Sequence, residues 1–210
     1  MRFLCLSDVH GDADALAAVL REGRDRGYDQ LVVCGDLLFP GPKPLDTWKL
    51  LLEQKALCVQ GVSDRALATL DPDELKAETP EQAQRVELLR SVHESLGELI
   101  IARLGRLPAN ARLPLENGQE MLIVHGSPAD SMVAMTLDMT DDEINALIGD
   151  EAADLIVCGA SHVPFERIVA DTQIVNVGCV GDRPTPGIAH ATLIETLPMG
   201  VQVSPFVVEL

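Results

Sequence analysis

The chain is poor in positive charge: 16 Lys and Arg stand against 33 Asp and Glu, for a formal net charge of −17. Binding nucleic acid through its phosphates needs a basic footprint, so this balance argues against such a partner. No apolar run approaches the length of a membrane span, and the apolar stretch of Met1-Arg2-Phe3-Leu4-Cys5-Leu6 is too short for a signal peptide. A cytoplasmic protein without a membrane partner is the expectation. Paired cysteines are missing too: the five present are an odd number, and none has the C-x-x-C spacing of a zinc or redox site. Cys5, Cys34, Cys58 and Cys158 lie in or at the end of predicted strands and read as buried free thiols of a reducing compartment. Cys179 falls in a loop near the candidate site. There is no internal repeat, no low-complexity linker and no composition break. Residues 1–210, 47% hydrophobic, therefore read as one well-buried domain.

What is present alternates between strand and helix. Arg2 to Ser7 predicts a buried strand, and Leu16, Val19 and Leu20 give the following Asp12–Arg24 a helical spacing. Gln30 to Cys34 is a second strand, Leu45 to Gln54 a helix and Ala56 to Gln60 a third strand, which implies parallel pairing with right-handed crossovers. From Asp71 to Arg106 the chain is charged with a helical period. Glu116-Asn117-Gly118-Gln119 between two apolar runs then predicts a hairpin that opens a second sheet. Strands over 155–158, 167–170, 173–177, 189–195 and 201–209 follow, joined by tight turns.

Five short signals stand at the ends of apolar runs, where an α/β sheet builds its sites: Asp8-Val9-His10, Gly35-Asp36, Gly61-Val62-Ser63-Asp64, His125-Gly126 and Gly159-Ala160-Ser161-His162. Asp and His together hold divalent metals and can turn bound water into hydroxide at neutral pH. Any one of these residues alone reads as a capping Asp or a hydrogen-bonded loop His. Taken together in this order, they point to one site. His93, in the charged segment, and His190, inside a strand, read as structural.

The set resembles the calcineurin-like metallophosphoesterases, specifically their small bacterial phosphodiesterase branch. That family's pattern is D-x-H, G-D, G-N-x-D/E, a lone His before Gly, and G-H-x-H, followed by N-P-G-S-x-G. Asn176-Val177-Gly178-Cys179-Val180-Gly181 matches its last part, and the likeness spans nearly the whole chain. The resemblance implies a four-layer α/β sandwich of two mixed β-sheets packed face to face and flanked by helices. It further implies two metals about 3.5–4 Å apart, bridged by the G-D aspartate, with attack by a metal-bound hydroxide on a small phosphate ester. Asp8, His10, Asp36 and His162 would hold the first metal, with Mn favoured and Fe, Ni or Zn as alternatives. His125 and Asp36 would serve the second metal and the catalytic step.

Two departures bear on that second metal: Val62 stands where the family has Asn, and Ala160 where it has His. Neither offers a donor atom, so the second site is weak or empty. Asp12, in the loop just after His10, offers a replacement carboxylate, but reads better as a helix N-cap. Asp64 reads as a helix cap or loop anchor. Ser63 occupies a place where many relatives have a His able to protonate the leaving group, a loss that typically costs about 10²–10⁴ in rate. The leading expectation is a metal-dependent phosphoesterase, more specifically a phosphodiesterase. The competing one is a binding scaffold with a decayed site on the same fold, as in the retromer scaffold subunit. A third, a phosphate or nucleotide sensor, predicts tight anion binding without hydrolysis. Substrate selection would lie in residues 37–47, the helical segment and 127–137. The last of these, with Met132, Val133 and Met135, would be a lid or, with Val203–Leu210, apolar surface for a homodimer.

Overall fold

The computed structural model describes residues 1–151 and 153–210. Strand and helix alternate first: β1 (Arg2–Leu6), α1 (Ala13–Arg26), β2 (Gln30–Val33), α2 (Pro44–Glu53) and β3 (Leu57–Cys58). The three strands pair in parallel, with Phe3 opposite Gln30 and Val32 opposite Leu57. Asp12 caps α1, its Oδ1 accepting the Ala15 N–H at 3.0 Å, as the sequence suggests. β3 is only two residues long, and Cys58 within it is half-buried rather than buried.

The charged segment is more broken than its period implies. A short helix α3 (Val62–Thr69) comes first, and the long helix α4 (Pro80–Leu104) starts only after Thr79, whose side chain and that of Gln82 close a capping box. Gly97, at φ 71°, interrupts α4 with non-helical backbone. The second sheet is built from β4 (Asn110–Pro114), β5 (Glu120–Val124), β6 (Leu155–Cys158), β7 (Phe165–Val169) and β8 (Thr172–Asn176), in the order β4-β5-β6-β8-β7. The expected hairpin joins β4 to β5, and α5 (Asp141–Ile148) precedes β6.

The last two strands leave this run. β9 (Ile188–Thr196) and β10 (Val201–Glu209) return to the first sheet, whose order is β10-β9-β1-β2-β3, and β9 pairs antiparallel with β1. Each sheet is therefore mixed. Strand alternation explains the layering. Phe3 and Cys5 of β1 face the other sheet, meeting Met121, Ile123, Val157 and Val175 in a central core. Leu4 and Leu6 face outward, onto Leu16, Val19 and Leu20 of α1, Trp48 of α2 and Leu89 and Val92 of α4. Beyond the second sheet, Ile144 and Ile148 of α5 close a third core with Leu122, Val124 and Ile156. Helix, sheet, sheet, helix is the expected four-layer order. With both faces of each sheet covered, the inner strands read as continuous apolar runs. No helix among the described residues is long and apolar enough to cross a membrane.

Candidate metal centre

The C-terminal ends of β1, β2, β5 and β6 bring their loops together. Asp8 N–H donates to Gly35 O at 3.1 Å, His10 N–H to Asp36 O at 2.9 Å and Gly159 N–H to His125 O at 2.9 Å. Asp8, His10, Asp36, Ala160 and His162 all have positive φ, between 49° and 60°, a left-handed conformation that is uncommon for these residue types. Such strain concentrates where side chains must be aimed rather than merely packed. Gly61 shows how tightly the loops meet: a Cβ there would stand 2.2 Å from Asp36 Oδ1. Without one, Asp36 reaches the N-terminus of α3, where its Oδ1 accepts the Ser63 N–H at 2.8 Å.

Five side chains converge on this junction. The ligand atoms of Asp8, His10 and His162 all lie within 4.8 Å of one another, as do those of Asp8, Asp36 and His125. His162 Nε2 is 3.1 Å from Asp8 Oδ1, His10 Nε2 is 3.7 Å from both Asp8 Oδ1 and Asp36 Oδ2, and His125 Nε2 is 3.6 Å from Asp36 Oδ1. His10 Nδ1 lies 2.6 Å from Phe39 O and His125 Nδ1 lies 2.7 Å from Cys34 O. A carbonyl only accepts, so both rings carry their proton on Nδ1 and present Nε2 to the pocket. Burial pushes the wholly buried Asp8 carboxyl up, but His162 and His125 outweigh it and hold the group below its ordinary value. The Asp8 partner in turn raises His162. His10 Nε2 is nevertheless buried without a hydrogen-bond partner, and Asp8 Oδ1 has none beyond its pairing with His162. Such an orphan costs free energy unless a ligand satisfies it. Carboxylate oxygen with imidazole nitrogen is a donor set that fits a divalent transition metal.

Residues 1–197 match the family model for the calcineurin-like phosphoesterase superfamily domain. The chain belongs to that superfamily. An uncharacterised protein of Methanocaldococcus jannaschii is 26% identical over 204 residues, covering 89% of this chain and 79% of its own. Among solved structures, a hypothetical protein of Pyrococcus horikoshii OT3 superposes with a TM-score of 0.80 at 20% identity, over 99% of this chain and 88% of its own. A metallophosphoesterase from Sphaerobacter thermophilus gives 0.77 at 22% identity, over 100% and 88%.

Within this calcineurin-like fold the remaining candidate residues separate cleanly. Val62 opens α3, and Ala160 contributes only its N–H, which Asp8 Oδ2 accepts at 3.1 Å. Asp12 is committed to the α1 cap and to Arg183, 2.8 Å away. Asp64 is an anchor: wholly buried, it accepts the Leu37 N–H at 2.9 Å and the Gly61 N–H at 3.0 Å. Burial first, and the Asp36 charge second, push its carboxyl up to about 6. Asn176 Nδ2 donates to Gly159 O at 2.6 Å and Ser161 Oγ at 2.9 Å, bracing the His162 loop. His93 is held on Leu67 O at 2.8 Å, and Cys179 is a buried free thiol. A hollow of about 700 Å³ between α3 and α4 includes none of the five donors. One residue near the donors carries no signal in the sequence. Asp182, just past the glycine-rich turn, stands 3.6 Å from His162 Nδ1.

Proposed function

We propose that the chain is a divalent-metal-dependent phosphoesterase whose small-molecule substrate is a phosphodiester or an activated phosphomonoester. The observation that carries this reading is the convergence of Asp8, His10, Asp36, His125 and His162, with His10 Nε2 buried among them without a hydrogen-bond partner. Asp8, His10 and His162, with Asp36 beside them, would hold the principal cation, Mn first and Fe, Ni or Zn as alternatives. A divalent cation in such a donor set neutralises phosphate charge and lowers the pKa of coordinated water. Asp36, fixed by Ser63 N–H, and His125, fixed by Cys34 O, face the adjoining position. There His125 would take a weaker second cation or touch a phosphoryl oxygen directly. Ser63 offers no imidazolium to the leaving group, so esters with good leaving groups lose least. Five unpaired cysteines support a reducing, cytoplasmic setting.

A second reading, a binding scaffold on the same fold, draws its support from Val62 and Ala160. Hydrolysis of a chromogenic phosphodiester and its monoester by metal-stripped protein, after Mn²⁺ is added back, separates the two. Turnover that depends on the metal and disappears in Asp36→Asn is the expected result, with the diester preferred. Equal behaviour of the wild type and the variant would leave the scaffold.

A further inference from the structure

A hollow of about 340 Å³ is lined by Thr136, Leu137, Asp138, Ser161 and Val163. Ser161 and Val163 flank His162, so the hollow borders the loop that carries a metal-ligand candidate. Leu137 and Val163 leave 59% and 49% of their surface exposed. Concave apolar surface next to convergent polar groups is how small-molecule sites are built. Both walls are braced. Arg167 of β7 donates to the carbonyls of Leu137 and Met139 and pairs with Asp141, which fixes the 136–141 segment. On the other side, Ser161 Oγ accepts from Asn176 Nδ2 at 2.9 Å and donates to Val163 O at 3.2 Å. A pre-formed hollow spends little of its binding energy on ordering.

Its charge narrows the occupant. No Lys or Arg lines it, and its one ionisable group is Asp138, whose carboxyl the Thr136 hydroxyl holds below the usual range. A substituent carrying further phosphates would meet the Asp138 carboxylate, while the Arg167 guanidinium behind the wall is taken up by the Leu137 and Met139 carbonyls and Asp141. A volume at the lower end of the roughly 300–1,000 Å³ of ligand pockets suits a single ring.

We infer that this hollow is the subsite for the organic substituent of the ester, and that it selects uncharged, apolar substituents such as an aryl group over phosphorylated ones. The inference rests on the phosphoesterase reading. Its test compares kcat/KM of Mn²⁺-loaded protein for three 4-nitrophenyl phosphodiesters whose second substituent is methyl, phenyl or a phosphorylated alkyl group. Phenyl is expected to exceed methyl by about tenfold or more, the discrimination a hydrophobic pocket supplies, with the phosphorylated ester slowest. Leu137→Asp and Val163→Asp should each bring the phenyl-to-methyl ratio toward one. Ile168→Asp, on β7 outside the hollow and 68% exposed, should keep the wild-type ratio. A ratio that survives both hollow variants, or preference for the phosphorylated ester, overturns the inference. Calorimetric binding of phenylphosphonate against methylphosphonate tests the subsite without chemistry. Phenyl-selective binding lost in Leu137→Asp, in protein that hydrolyses nothing, would keep the subsite and remove the esterase. Turnover indifferent to the substituent would do the reverse.

Discussion

The two donor groups at the centre share Asp8 and differ in how much of their surroundings has kept its chemistry. One group gathers Asp8, His10 and His162, whereas the loops beside Asp36 and His125 carry Val62 and Ala160, which have no donor atom in their side chains. Yet the loops bearing those two residues are as tightly built as the rest. The α3 N-terminus holds Asp36 through Ser63 N–H, and Ala160 N–H holds Asp8 Oδ2. The backbone of these two loops therefore orients Asp36 and Asp8. That is why their side chains can lack donor atoms while the loop geometry persists, and why a family fold says little about how many cations it binds.

The sharpest way to break this asymmetry is at the shared residue. In Asp8→Asn the amide oxygen can still accept the Ala160 N–H, but the amide nitrogen then occupies the place of Oδ1 and presents a donor where a cation needs an acceptor. Mn²⁺ affinity measured by calorimetry should fall by more than about a hundredfold, beyond what loss of a supporting residue costs. Affinity within a few fold of wild type would mean that the cation is held without Asp8. The complementary change rebuilds the depleted position. Val62→Asn combined with Ala160→His should raise bound Mn²⁺ from about one to about two per chain, with the electron paramagnetic resonance of isolated ions giving way to that of a coupled pair. Two ions in the wild type would show instead that water and Asp36 suffice.

A smaller effect is expected at Asp182. His10 and His125 are braced by backbone carbonyls, whereas His162 has near its Nδ1 the Asp182 carboxylate, 71% exposed, together with the Asp182 backbone. Asp182→Asn should weaken Mn²⁺ binding about tenfold, the lower end of the range for groups that orient a ligand. An unchanged affinity would assign the bracing of His162 to the Asp182 backbone and to the loop that Asn176 and Ser161 hold.

The convergence of Asp8, His10, Asp36, His125 and His162 was legible because each follows an apolar strand, and the four layers were legible because strands and helices alternate. Other features were not. Nothing in the alternation of β9 tells which sheet it joins. That depends on the open edge of β1, which only the assembled first sheet presents. The positive φ of Asp8, His10 and Asp36 was hidden because no glycine marks it, and the surrounding loops impose it. The helix α3 was missed because its eight residues bury only Asp64 and Leu67, too few to set a period. Asp182 carries no spacing signal, since its partner lies twenty residues away across a strand pair.

His190 provides the mildest contrast, because it has what the site histidines lack and lacks what they have. Its Nδ1 is buried without a hydrogen-bond partner, and burial pushes its pKa below the ordinary value, against a smaller raising pull from the Cys179 backbone. The folded protein therefore resists taking up the proton that the unfolded chain accepts near about pH 6.5. Stability from this group is full above that value and is lost as the pH falls through it toward the depressed folded value. His190→Gln removes the titration. The urea midpoint of the wild type should drop more than that of the variant between about pH 7.5 and about pH 5.5, where an ordinary histidine changes charge. Equal drops would make the buried nitrogen of His190 a packing feature without energetic consequence.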